Sequence, residues 1–139
     1  MGSMKIMAVD FGTRRIGLAL ADTRLQTVVP LEGFSHRSLD RNIRILGERA
    51  VAHDVDRIVV GYPLNMDGSE SEMSRRVVNF SRKLEKTLEI RVDLADERLT
   101  TFEAREKLNQ VPGGCRKMKE KIDSAAAVLI LEDYLETLK

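Results

Sequence analysis

The chain has 139 residues, 42% hydrophobic and 32% charged, with three prolines and one cysteine. That length suits one compact domain able to bury roughly 68–70% of its unfolded surface, and the composition excludes disordered, fibrous and disulfide-stapled classes. A formal net charge of only +1 excludes a polycation, so any nucleic-acid partner must be met by a local basic surface.

No apolar run approaches the roughly 20 residues of a membrane span, and Asp10 and flanking charge interrupt the short apolar start that a signal peptide would need. The lone Cys115 has no histidine near it in sequence and fits a reducing cytosol better than a catalytic role. Met1-Gly2-Ser3 ahead of Met4 reads as an added leader, so the expected domain is 4–139, a cytoplasmic protein with no membrane attachment.

Met4 to Asp10 predicts a buried strand, since Ile6, Met7, Ala8 and Val9 form a nearly continuous apolar run. Phe11-Gly12-Thr13 makes a turn, and Ile16 to Ala21 follows so closely that the pair must be an antiparallel hairpin. Val28 to Phe34 is a third strand, placed at an edge by Pro30. Asp40 to Asp54 carries Ile43, Leu46, Ala50 and Val51 at helical spacing. Ile58 to Val60 is a short buried strand ending at Gly61, and Tyr62 to Ser69 reads as a loop. Glu70 to Leu88 is a strong amphipathic helix with Met73, Val77, Phe80, Leu84 and Leu88 on one face.

Arg91 to Ala95 is another strand. Thr100 and Glu103 form a capping-box pattern for a helix to about Asn109. Val111 to Lys119 reads as a loop held open by Pro112, Gly113 and Gly114, and Ile122 to Leu138 as a final helix. The order β-β-β-α-β-α-β-α-α implies an α/β fold, a mixed five-stranded sheet flanked by helices. No repeat, low-complexity tract or linker divides it.

Three acids stand out by position. Asp10 ends the first strand, Glu97 follows the strand ending near Ala95, and Asp123 lies at the expected start of the last helix beside Ser124, Ala125 and Ala126. Sites in open α/β sheets form beyond the carboxyl ends of strands, where these acids could converge. Clustered carboxylates repel unless a cation neutralises them. With only His36 and His53 as histidines, hard magnesium or manganese suits the donor set better than zinc. Two such ions about 3.5–4 Å apart can activate water and stabilise a leaving alkoxide in phosphodiester cleavage. Each acid also has a plainer reading: Asp10 as a turn residue, Glu97 as a solvated partner of Arg98, Asp123 as a first-turn acid favoured by the helix dipole. Arg14 and Arg15 lie near Asp10, Arg98 adjoins Glu97, and Arg116, Lys117, Lys119 and Lys121 precede Asp123. Such cations can hold phosphate or simply solvate a surface loop.

Four ordered segments, D-F-G-T-R-R-I-G at 10–17, G-Y-P-L-N-M-D-G at 61–68, D-E-R-L-T-T at 96–101 and D-S-A-A-A at 123–127, closely resemble the YqgF (RuvX) family of bacterial resolvase-like and pre-16S rRNA nucleases. The match runs from Met4 to about Leu135. The resemblance implies an RNase H-like fold and a Mg²⁺- or Mn²⁺-dependent endonuclease with Asp10, Glu97 and Asp123 as the catalytic and metal-holding triad. It also implies supporting roles near the substrate for Arg15, Asn65, Arg98 and Thr101. The expected partner is nucleic acid, either the 16S rRNA precursor, within ribosomal precursor particles, or branched DNA. A resolvase must make paired cuts and so calls for a symmetric dimer; no exposed heptad seam is visible, and a monomer or weak homodimer is expected.

Two readings of other classes compete. D-F-G-T also resembles the first phosphate loop of actin-like and sugar-kinase ATPases, but those close two such domains on ATP and this length supplies one. A non-catalytic nucleic-acid-binding module would use the basic residues alone, yet would gain nothing from acids set beside phosphates.

Overall fold

The computed structural model describes residues 3–12, 14–62, 67–96 and 116–138, with backbone alone for 116–124. Strands β1 (Lys5–Phe11), β2 (Arg15–Asp22) and β3 (Thr27–Ser35) precede helix α1 (Leu39–Ala52), strand β4 (Arg57–Tyr62), helix α2 (Glu72–Leu88), strand β5 (Arg91–Asp96) and helix α3 (Arg116–Thr137). The strands form one sheet in the order β3-β2-β1-β4-β5. β2 is antiparallel to β1 and β3, whereas β1, β4 and β5 are parallel. The expected hairpin and the edge position of β3 are both present, with Pro30 opposite Ala19.

Strand alternation sorts β1 between two cores. Met7, Val9 and Phe11 face α1 and α2, packing with Ile16, Leu18, Ile43, Leu46, Ile58, Val60, Val77, Phe80 and Leu84. Ile6 and Ala8 face the other way, with Ala19, Ala21 and Val59, against Ala127, Ile130, Leu131 and Tyr134 of α3. A strand buried on both sides reads as a continuous apolar run. That is why the sequence there shows no alternation.

Both helices on the first face start with a serine cap. Ser38 Oγ accepts from Arg41 N at 3.3 Å. Ser71 and Ser74 form a reciprocal pair, Ser74 N to Ser71 Oγ at 2.9 Å and Ser71 N to Ser74 Oγ at 2.8 Å, which satisfies donors left open at a helix start. The apolar face expected for α2 is its packed face: Val77, Phe80 and Leu84 are buried, and Met73 and Leu88 pack at its margins.

Several boundaries differ from the sequence reading, among them Phe11, expected in a turn and found as the last residue of β1, and α2, which starts at Glu72 instead of Glu70. β4 continues through Gly61 to Tyr62, because its pairing with β5 extends to Tyr62 opposite Asp96. More consequentially, α3 begins at Arg116, so residues 116–119, expected in a loop, are helical. The stretch from Arg116 to Lys121 contains no glycine or proline and is rich in Arg, Lys, Met and Glu, which are good helix formers. The helix expected near 100–109 lies outside the described residues. No helix among the described residues is long and apolar enough to cross a membrane.

The far end of α3 is pinned to the sheet. Tyr134 Oη donates to Asp93 Oδ2 and accepts from Arg57 Nη1 at 2.9 Å, while Arg91 Nε donates to Asp93 Oδ1 at 3.1 Å. Burial alone would raise the Asp93 pKa. The hydrogen bonds from Tyr134 and Arg91 and the charges of Arg91 and Arg57 outweigh it and hold the carboxyl below its ordinary value. A carboxyl lowered on folding adds stability that is fully present above its unfolded value, near ~3.9, and is lost as pH falls through the folded one. Tyr134→Phe removes one donor and one acceptor. It is expected to cost about 1–2 kcal/mol at neutral pH and to flatten the stability loss below that value, as read by denaturant titration across the acid range.

Candidate active site

Asp10 occupies the penultimate position of β1, half-buried, between two residues anchored in the α1/α2 core. Val9 is wholly buried, and the Phe11 ring packs 4.6 Å from Phe80 and edge-on to His36 at 4.9 Å. With both neighbours committed to that side, alternation leaves Asp10 on the α3 side, at the carboxyl ends of the parallel strands.

Within the sheet, Asp10 lies between glycines. Gly17 is its cross-strand partner on β2. On the other side, the last β1–β4 pair is Val9 with Val60, so Gly61 holds the matching place one residue on. Gly61 pairs in turn with Ala95 on β5. Directly opposed residues share a face of the sheet, so this row gives Asp10 no bulky neighbour on either side. The β2–β3 ladder is irregular at the same place: Ile16 faces Phe34 and Leu18 faces Leu31, leaving Gly17 opposite the two residues Glu32 and Gly33. Bulges recur beside functional sites, where they re-aim a strand.

The turn after Asp10 is tight. Gly12 N donates to Arg15 O at 3.1 Å, and a Cβ on Gly12 would lie 2.4 Å from that same oxygen. Arg15 then opens β2 two residues before Gly17, and so on the Asp10 side of the sheet. Arg14 is exposed next to it.

α3 reaches toward this end. Tyr134 is fixed near the beginnings of β4 and β5, and the helix packs along the sheet through Ile130 and Ala127. Its earlier residues therefore approach the carboxyl ends of the strands. Position 123 is one turn before Ala127 and three turns, about 16 Å, before Tyr134. It is the eighth residue of α3, not its first turn, and no acid lies in that first turn. The helix-dipole explanation of Asp123 therefore fails.

The other sequence-derived site residues divide clearly. Glu97, Arg98, Thr101 and Asn65 lie outside the described residues. Arg116, Lys117, Lys119 and Lys121 belong to α3, not to a loop. Among the described residues no three His, Cys, Asp or Glu side chains come together; Asp10 is the only member of the expected triad whose side chain is described. Gly17, Gly33 and Gly61 were not singled out from sequence. Gly17 and Gly61 stand inside the motifs at 10–17 and 61–68, but their adjacency to Asp10 depends on register.

The RuvX family's sequence model, described as Holliday junction resolvase, matches residues 4–137. The chain belongs to the RuvX family. Relatives named as candidate pre-16S rRNA nucleases include one from Anaeromyxobacter sp. (strain Fw109-5), 38% identical over 96% of this chain and 97% of its own. Another, from Syntrophus aciditrophicus (strain SB), is 39% identical over 97% and 90%. Among solved structures, the fowlpox virus resolvase with Holliday junction DNA superposes at a TM-score of 0.61 and 12% identity, covering 97% of this chain and 99% of that one. Thermus thermophilus RuvC with its junction substrate does so at 0.58 and 11%, covering 96% of each. At these identities the likeness establishes the resolvase-type, RNase H-like fold of this RuvX chain.

A methyl group on Gly12 would press on a backbone oxygen that cannot rotate away. Gly12→Ala is expected to destabilise the protein by roughly 1–3 kcal/mol, measured as a lowered thermal midpoint by circular dichroism.

Proposed function

We propose that this RuvX-family chain is a metal-dependent endonuclease that cleaves structured nucleic acid, with the 16S rRNA precursor as substrate, and that Asp10, Glu97 and Asp123 form its catalytic set. The observation that carries this reading is the placement of Asp10: a half-buried carboxylate at the carboxyl ends of parallel strands, flanked by glycines, on the face along which α3 brings position 123.

The donor chemistry fits a hard cation. Asp10 offers carboxylate oxygens, and His36, the histidine near this end of the sheet, packs against Phe11 on the opposite face. Asp10, Glu97 and Asp123 would hold Mg²⁺ or Mn²⁺, which when bound supplies activation of water and neutralises charge on the departing oxygen. The chain's own work is positional. Phe11 and the glycine turn fix Asp10, the glycine row leaves a phosphodiester room to approach, and Arg15 stands on the same face to meet its charge. Arg14, Asn65, Arg98, Thr101 and the cations of early α3, Arg116, Lys117, Lys119 and Lys121, are proposed to hold the backbone on either side.

The pre-rRNA assignment follows the names of the relatives; the family's description favours branched DNA as the second reading. Under either one the setting is the cytoplasm and the domain is the whole of 4–139. A ribosomal precursor particle is the context for the RNA substrate, and a weak homodimer for the DNA one.

Asp10→Asn keeps the side chain's shape and removes its charge. Incubated in Mn²⁺ with matched precursor RNA and four-way DNA junctions, the parent protein is expected to cut the RNA. Asp10→Asn is expected to lose at least ~10²-fold in rate, the scale typical of one essential catalytic group, while retaining its fold and its binding. Cutting by Asp10→Asn at the parent rate would end the catalytic assignment, and junction cleavage in place of RNA cleavage would select the second reading. Chelation by EDTA is expected to abolish cleavage, Mg²⁺ or Mn²⁺ to restore it, and Ca²⁺ to restore it poorly because its coordination is looser. Full activity in EDTA would refute the metal requirement.

A further inference from the structure

The end of the sheet that carries Asp10 is electrically lopsided. On the β4–β5 side, the start of α2 mixes Arg75 and Arg76 with Asp67, Glu70 and Glu72, and Arg75 lies 3.9 Å from Glu70. On the β2–β3 side, the junction into α1 presents Arg14, Arg37 and Arg41, all exposed. Among the described residues none of these three has a carboxylate partner. Asp40, the acid nearest Arg37 and Arg41 in sequence, is held by Lys83 at 2.6 Å.

This junction is held by several hydrogen bonds. His36 N donates to Arg14 O at 2.8 Å, which sets the ends of β2 and β3 side by side. Asn42 is wholly buried, and its amide holds the chain at Arg37 and His36: Arg37 N donates to Asn42 Oδ1 at 2.8 Å, and Asn42 Nδ2 lies 3.4 Å from Arg37 O and 3.3 Å from His36 Nδ1. In its Nδ1–H tautomer, His36 also donates to Arg37 O, at 2.7 Å. Ser38 then caps α1 through Arg41 N. Burying an amide is unfavourable unless its hydrogen bonds are made. Here a buried one fixes the backbone of an exposed cation, and preorganising a charge in this way lowers the cost of binding to it.

We propose that Arg14, Arg37 and Arg41 form a second backbone-binding surface, which holds the phosphodiester strand on the β3 side of the cleavage point. The inference rests on the nuclease reading and extends it. β3 is two strands from β1, about 10 Å across the sheet. A polynucleotide strand spans that separation within a few residues. The partner chemistry is a run of phosphates, which either a folded RNA or a DNA junction provides.

The test uses the full chain and the Arg37→Gln/Arg41→Gln double variant. Lys86→Gln, at the opposite end of α2, serves as the control. Binding of a labelled RNA hairpin and of a four-way DNA junction is measured across a salt series, with every protein carrying Asp10→Asn so that the probes stay intact. Cleavage is measured separately with Asp10 present. The double variant is expected to bind more weakly, with the slope of log affinity against log salt reduced by about 1.8, or 0.9 for each lost duplex contact. KM is expected to rise several-fold while kcat stays within about twofold, and Lys86→Gln should match the parent. Loss on both probes supports a surface that reads the shared backbone; loss on one supports it and names the polymer. An unchanged slope and KM on both, in a variant that folds like the parent, overturns it. Weakened binding in a protein whose Asp10 form cuts neither probe would sustain this surface and overturn the nuclease reading, so the two failures are distinct.

Discussion

Phe11 is the last residue of β1, and its ring is seated between Phe80 of α2 and His36 at the entry to α1. Because successive strand residues point to opposite faces, burying that ring on one side commits Asp10 to the other. The rest of the site depends on this commitment. Gly17 and Gly61 matter because they flank Asp10, the tight turn at Gly12 matters because it follows directly, and the direction of α3 matters because it lies over the same face. A shift of one residue in the pairing of β1 would turn Asp10 into the apolar core and Phe11 out to solvent, so the same energetics that stabilise the core also fix the carboxylate.

Much of the architecture could be read from local pattern. The short spacing between Asp10 and Ile16 favoured a hairpin, Pro30 pointed to an edge, and the Val77, Phe80 and Leu84 stripe pointed to a buried helix face. Each of these is settled by a few neighbouring residues. The start of α3 was not legible for the opposite reason. Pro112, Gly113 and Gly114 are strong breakers, and the cations after them were read as a continuation of the loop, although Arg116 to Lys121 are themselves good helix formers. Early charge was taken as a sign of loop, whereas these residues are helical.

The site was legible only in outline. Asp10, Glu97 and Asp123 were singled out as candidates by their positions at element ends and by family resemblance. The correct helix start removes the plainer account of Asp123. The glycine row and the bulge at Gly17 were invisible from sequence because they exist only through pairing between strands. The Tyr134, Asp93 and Arg57 network likewise joins residues separated by up to 77 positions. Arg37 and Arg41 were missed because their significance lies in Asn42, a polar residue on an otherwise apolar helix face, whose purpose becomes apparent only when its amide is seen gripping the chain five residues before it.

Pro30 has a bearing on assembly. It sits within β3 at the rim of the sheet, where it denies an incoming chain one of the amide hydrogens that strand addition needs. At the opposite rim, β5 is only six residues long, with Arg91 and Asp96 at its tips. Neither border is a favourable seam for a second copy to extend. Any pairing of two such molecules is better served by helical or loop surfaces.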